Sequence, residues 1–288
     1  MKRVSCLKIL ILSGLMVLAE AVEFRRPTPP FGSPIAVQAR SGSLASVLPF
    51  AVGETLTYNV SWKIFDAGVA TMSLVGRTRH QNSEVYHVSA TARSTGLLST
   101  LFKVLDVFES YFGVRDLCSR RLTKNIQEGR RSREILLNFD QAAHVARLED
   151  RDLTKPAQAP KRTESPIPPC VQDVISALYT IRTKNLKVGE PVYFPINDGG
   201  KTYDVQVEVQ IAETIKTPAG SFPTLRLEPK VFDGLFKKKG RMFVWVTNDS
   251  QKIPVQLRAK IAIGTITAAL TRHDRPPQMQ AAPDSGTN

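Results

Sequence analysis

The chain has 288 residues, enough for one large β domain or two small ones. Its 39 Lys and Arg stand against 26 Asp and Glu, a formal charge of +13, which would suit nucleic acid, anionic lipid headgroups or acidic polymers; the export signal described next excludes nucleic acid. No segment after that signal is apolar and long enough to cross a membrane as a helix.

Residues 1–21 carry Lys2, Arg3 and Lys8, then an apolar run, then Ala19-Glu20-Ala21, a small-x-small cleavage site. This pattern is a secretory signal peptide, with cleavage expected after Ala21 and a periplasmic or secreted mature protein. An uncleaved membrane anchor is the rival reading. Removing Lys2, Arg3, Lys8 and Glu20 leaves 36 basic against 25 acidic side chains, a net +11. Residues 22–47, with Pro27, Pro29, Pro30 and Pro34, read as a disordered Pro/Ser/Gly leader, and residues 273–288 as a disordered tail. Between them, 48–272 is a β-rich domain, read alternatively as two similar halves, 48–150 and 171–272. The matching Val52-Gly53-Glu54 and Val188-Gly189-Glu190 hint at such a duplication.

Leu56, Tyr58, Val60, Trp62 and Ile64 alternate with polar residues and predict a strand over 55–65, turned at Asp66-Ala67-Gly68. A returning strand over 69–76 and a third over 84–93 follow. Residues 96–103 predict a short helical turn carrying Leu97, Leu98, Leu101 and Phe102. Further strands are expected over 105–112, 120–127, 133–139 and 144–149, then a proline-rich loop over 151–169.

Residues 171–183 predict the long helix: Val171, Val174, Ile175, Leu178 and Ile181 recur at helical spacing, and Asp173 falls in the first turn. It should plug or cover a face of the sheet. A hairpin over 190–196 and 201–211 turns at Asn197-Asp198-Gly199-Gly200, with Tyr203, Val205, Val207, Val209 and Ile211 on one side. Pro218-Ala219-Gly220 leads into a strand over 222–229, and residues 232–239 bridge onward.

The segment 241–270 organises the rest. Phe243, Val244, Trp245 and Val246 are apolar on both faces, Thr247-Asn248-Asp249-Ser250 supplies a turn, and Val255, Leu257, Ala259, Ile261 and Ile263 share one face. After Gly264 the apolar phase shifts to Ile266, Ala268 and Leu270, which predicts a bulge that bends one long strand. The fold class expected is mainly β: a curved antiparallel sheet or open β-barrel with one packed α-helix.

These residues resemble a bacterial exported family known as domain of unknown function 3108. The resemblance runs from about residue 49 to 270. It is carried by Pro49-Phe50, Gly53-Glu54, Leu56, Tyr58, Trp62 and Ala67-Gly68, by Asp173, Ser176-Ala177, Tyr179 and Arg182, by Lys201, Tyr203, Gly220 and Phe222, and by Trp245, Asp249, Pro254-Val255 and Gly264. It implies an envelope protein with an antiparallel β fold and no assigned activity.

Cys118 and Cys170 are the two cysteines left after the signal, and outside the cytoplasm an even pair is more often a disulfide than two thiols. Closing about 50 residues would contribute on the order of 4 kcal/mol. A catalytic thiol or a metal site lacks CxxC spacing and a nearby histidine. His80, His87, His144 and His273 occur singly, with no His-x-His or HExxH, so no metal is implied. No GxSxG elbow and no phosphate loop appear, no cofactor is implied, and Glu54, Asp66 and Asp249 sit where capping or turns explain them. The chain therefore reads as no enzyme. The basic runs at Arg130-Arg131-Ser132-Arg133, Lys161-Arg162 and Lys237-Lys238-Lys239-Gly240-Arg241 read as solvated loops or as patches for anionic envelope components. Tyr58, Trp62 and Trp245 are the candidate ligand-binding residues, as aromatics that would line a concavity for an acyl chain or a glycan. The function expected is non-catalytic binding of a lipid or other apolar envelope ligand. The alternative is a structural or interaction module that docks to an envelope partner by a sheet edge or basic patch, its interior filled.

Overall fold

In the computed structural model, which describes residues 48–231, 240–261 and 264–275, the chain forms one fourteen-stranded antiparallel sheet and two helices. The elements in order are β1 (Thr55–Trp62), β2 (Phe65–His80), β3 (Ser83–Ser94), α1 (Gly96–Leu101), β4 (Leu105–Gly113), β5 (Ser119–Glu128), β6 (Arg131–Asp140), β7 (Val145–Asp152) and β8 (Lys161–Pro166). Then come α2 (Val174–Arg182), β9 (Val192–Asp198), β10 (Lys201–Thr217), β11 (Gly220–Val231), β12 (Arg241–Thr247), β13 (Pro254–Ile261) and β14 (Gly264–Asp274). The strand order is β8-β7-β6-β5-β4-β3-β2-β1-β14-β13-β12-β11-β10-β9. Because β1 pairs with β14, the stretches 48–150 and 171–272 belong to one sheet. The signal, the leader, the bridge 232–239 and most of the tail lie outside the described residues, but β14 runs to Asp274, two residues past the expected boundary.

Strict alternation forms the strands as expected. Leu56, Tyr58 and Val60 on β1 and Tyr203, Val205, Val207 and Val209 on β10 are buried, while their neighbours face outward. The first turn differs from the expectation. β1 and β2 are joined at Lys63-Ile64, with Trp62 paired to Phe65, and Ile64 is 88% exposed rather than inward. Gly68 belongs to β2 instead, where a Cβ would sit 2.1 Å from the Arg93 carbonyl oxygen, so close strand approach and not turn geometry requires glycine.

The expected bend at Gly264 is a chain reversal. β13 and β14 are antiparallel neighbours with Ile261 paired to Gly264, so the phase shift read as a bulge marks the two sides of a hairpin. The expected loop 151–169 contains β8. That edge strand lacks an apolar alternation because cross-strand ion pairs hold it: Arg162 to Glu149 at 3.0 Å and Arg147 to Glu164 at 2.8 Å.

The helix is shorter than expected. Asp173 is its N-cap, accepting from the Ile175 and Ser176 amides, and Ser176 returns a bond to the Asp173 amide in a capping box. Val171 and Gln172 are extended: the Ser119 amide donates to the Val171 carbonyl, Gln172 to Pro195, and Asn197 to Gln172. This segment ties the start of β5 to β9 across the open side of the sheet. The disulfide Cys118–Cys170 joins the β4–β5 turn to the same segment, with Cα atoms 4.7 Å apart.

α2 occupies the concave side. Seven of its nine residues are buried, including Ile175, Tyr179, Ile181 and Arg182, and it packs against β4 and β9. Tyr179 meets Phe50 edge-on at 4.9 Å and Phe112 at 5.4 Å. A second apolar cluster joins Ile181 and Leu186 to Val205, Val207, Leu225, Leu227 and Val246. Burial of these side chains, each contributing about 1.5–3 kcal/mol, drives the sheet to curve around the helix.

Candidate functional site

The β2–β3 turn and the β4–β5 turn lie side by side at one end of the sheet. Gln81 and Asn82, with φ of 43° and 64°, reverse the first hairpin tightly. The Val114 amide donates to the Glu84 carbonyl and couples it to the second. In the second turn the Asp116 carboxylate accepts from the Cys118 amide at 3.0 Å and from the Arg120 guanidinium at 2.5 Å. The Asp116 carboxylate lies over Gly113, in space a Cβ there would take, 2.1 Å away. The disulfide at Cys118 anchors this wall.

Between the turns opens a groove of about 720 Å³, lined by Arg77, Arg79, Arg115 and Arg120 against Glu84 and Asp116. Arg120 is held by Asp116, and Arg77 stands 3.9 Å from Glu84 and donates to the Tyr86 hydroxyl at 3.2 Å. Arg79 and Arg115 have no ion-pair partner among the described residues and are exposed. Four guanidiniums face two carboxylates. The local field is felt next door at His80, whose pKa is lowered by burial and then by Arg121 and Arg120. Guanidinium forks with spare donors suit a phosphate or carboxylate group.

Other polar clusters lie inside the fold, among them the buried Lys124–Asp198 ion pair. Arg182, fully buried, places its two terminal nitrogens 2.7 and 2.9 Å from the Glu54 carboxylate, and His273 approaches the same group at 3.1 Å. Burial pushes the Glu54 carboxyl up, but the bonds from His273 and Arg182 outweigh it and hold it down at about 2. Every donor of Arg182 on that side is used, by Glu54, Pro49 and Gln251, so the cluster clamps the chain entering β1 to α2 and β14. Near the opposite end, burial and then Glu128 raise Asp106 to about 7, against a bond from the Gln127 amide. Between β3 and β4, Ser89 and His87 both bond the Glu109 carboxylate rather than each other. Among the described residues no three His, Cys, Asp or Glu converge on a metal position.

The three sequence-selected aromatics belong to one apolar cluster, Tyr58 and Trp245 buried in it and Trp62 packed against it, but they do not share one strand face. Tyr58 and Trp62 share the inward face of β1, and the Tyr58 hydroxyl donates to the Pro254 carbonyl at 2.7 Å. Register links Trp245 to Gln256, Ala269 and Asn59 in one row, which puts it on the opposite face. There it is buried, bonded to Glu213 at 2.8 Å and roofed by Arg258 at 5.2 Å. The four groove arginines escaped sequence reading because they lie on two separate hairpins. The available signal was a basic pair beside each of two turns, Arg77 and Arg79 before the first and Arg115 and Arg120 in and just after the second.

A curved, unclosed antiparallel sheet wrapped on a buried helix, with a polar groove at its rim, defines an open, β-barrel-like protein. Residues 57–271 match the family described as "Protein of unknown function (DUF3108)", and the chain belongs to that family. No curated protein matches the sequence. Among solved structures, the chain is similar to a β-barrel-like protein of domain of unknown function DUF1849 from Brucella abortus. The TM-score is 0.56 at 8% identity, over 79% of this chain and 99% of that one. A Bacteroides fragilis protein described as exported, with a YmcC-like fold, aligns at 9% identity and TM-score 0.36, over 79% and 98% of the two chains. A Parabacteroides distasonis protein described as a lipoprotein aligns at 10% and 0.34, over the same shares.

Proposed function

We propose that this chain is a non-catalytic envelope protein that binds an anionic ligand, phosphate- or carboxylate-bearing, in the arginine groove between the β2–β3 and β4–β5 turns. The observation that carries the reading is the pairing imbalance there: Arg79 and Arg115 lack ion-pair partners among the described residues, in a groove one wall of which a disulfide anchors. Envelope location is supported by the signal-like residues 1–21 and by the disulfide. An apolar ligand held on the concave side would need room that α2 takes, and the bent strand that motivated such a ligand is a hairpin.

Titration calorimetry with polyphosphate and with polygalacturonate tests the proposal, the two polymers separating a phosphate from a carboxylate ligand. Saturable binding that weakens with salt is expected for one of them, and Arg79→Glu with Arg115→Glu should reduce it about tenfold or more. Equal binding by the double variant would remove the groove from consideration.

A further inference from the structure

The end of the sheet opposite the groove has a different chemistry. Ile64 and Phe65, at and beside the β1–β2 turn, are 88% and 63% exposed, and Leu101 at the end of α1 is 75% exposed. These elements are neighbours. The Thr95 amide, at the start of α1, donates to the Ala67 carbonyl on β2 at 3.2 Å. The β5–β6 turn adjoins them through the Gly129 amide and the Lys103 carbonyl at 2.8 Å.

Folding alone does not account for these side chains. Lys63 takes φ of 56° at the first central position of a two-residue turn, where glycine is preferred, and Ile64 follows where polar residues serve. A β-branched apolar residue there contacts almost nothing, so the turn carries an apolar tip that packing does not repay.

Charge surrounds the tips. Lys63, Arg93, Lys103 and Arg130 are exposed on the same end, and none forms an ion pair among the described residues. The acids at this end are held or buried: the Asn59 side-chain amide donates to Asp66 at 2.7 Å, and Asp106 and Glu128 are buried. Apolar points set among unpaired cations are complementary to a lipid surface: an acyl boundary for the points, anionic phosphates for the ring. A protein partner would instead need a continuous complementary area of about 1,000 Å² or more, whereas these are separate protrusions.

We infer that this end is a membrane-docking face whose occupant is the surface of an anionic bilayer, with Ile64, Phe65 and Leu101 entering the headgroup boundary and Lys63, Arg93, Lys103 and Arg130 meeting lipid phosphates. The groove then faces away from the bilayer, toward ligands in the aqueous phase.

Vesicle flotation tests this, using the protein as an expressing bacterium exports and processes it. Vesicles of phosphatidylcholine alone are compared with phosphatidylcholine mixed with phosphatidylglycerol. The protein should float with the mixed vesicles. Ile64→Ser, Phe65→Ser and Leu101→Ser together should lower partitioning about tenfold or more, and Lys63→Gln, Lys103→Gln and Arg130→Gln about fivefold each. Circular dichroism and melting temperature, unchanged at such exposed positions, report that each variant folds. Absence of flotation with mixed vesicles overturns the inference, as does a triple serine variant that floats like the parent. If that variant instead turns a dimer into a monomer while vesicle binding stays, the tips pack on a second copy and the inference also fails. Loss of flotation in the groove variant Arg79→Glu with Arg115→Glu, with the tip variant intact, would assign lipid binding to the groove and overturn it too.

Discussion

Replacing Arg182 with methionine should destabilise the protein through a charge left behind, not through lost packing. In the native chain both terminal nitrogens reach Glu54, while Nε and one terminal nitrogen also donate to the carbonyls of Gln251 at 3.1 Å and Pro49 at 2.9 Å. Methionine keeps an apolar stem between Phe50 and Tyr179 but strands a carboxylate with no exposure to water. Removing one member of a buried pair typically costs about 3–5 kcal/mol. His273 and Arg182 together hold Glu54 at about 2 against an ordinary 4.5, and at about 1.4 kcal/mol per pH unit that gap, shared between the two partners, is on the order of 3 kcal/mol. The pKa is depressed on folding, so this stability is complete above about pH 4.5 and is lost as pH falls toward 2. Urea unfolding followed by tryptophan fluorescence should show a loss of about 3–5 kcal/mol at neutral pH, narrowing as pH drops to about 3 because protonation removes the stranded charge. Adding Glu54→Gln should recover part of it. A loss under about 1 kcal/mol, or a gap that ignores pH, would refute the reasoning.

Cys118→Ser should cost about 4 kcal/mol for a closed loop spanning 52 positions, read as a lower melting temperature that reductant no longer changes. Asp106→Asn should stabilise the protein at high pH: the raised pKa means a cost that begins above about 3.8 and is complete above about 7. Unfolding at about pH 8 should therefore favour the variant by a few kcal/mol, at most about 4, with no difference below about pH 4. Asp173→Ala removes the α2 cap and the acceptor for the Ser110 and Ser119 hydroxyls. About 2–4 kcal/mol should be lost in chemical denaturation.

Much of the sheet was legible because alternation is a local signal. Tyr203 to Val209 on β10 and Tyr86 to Ala90 on β3 needed nothing beyond a period of two. Three features required tertiary information. Val171 has the spacing of a helical residue, but Gln172 is drawn into pairing with β9, and the helix begins only after Asp173. Gly264 shifts the apolar phase, and phase alone does not distinguish a bulge from a reversal. β8 carries no apolar stripe because charge pairs hold it. The groove was the least legible feature. Arg79 and Arg115 are 36 positions apart in sequence, and only the β3–β4 register, with Val85 opposite Gly113, brings their turns together. Trp245 was equally hidden, because its face depends on pairing through β13 and β14 to β1.

The most direct test of the account is an amide chemical-shift map of the protein titrated with polyphosphate and, separately, with polygalacturonate. The account expects saturable shifts with at least one polymer, concentrated in residues 77–84 and 113–120 and absent in the Arg79→Glu, Arg115→Glu variant. Shifts centred instead on Tyr58, Trp62 and the residues of α2 would contradict it, because they would place the ligand in the space the helix is held to fill.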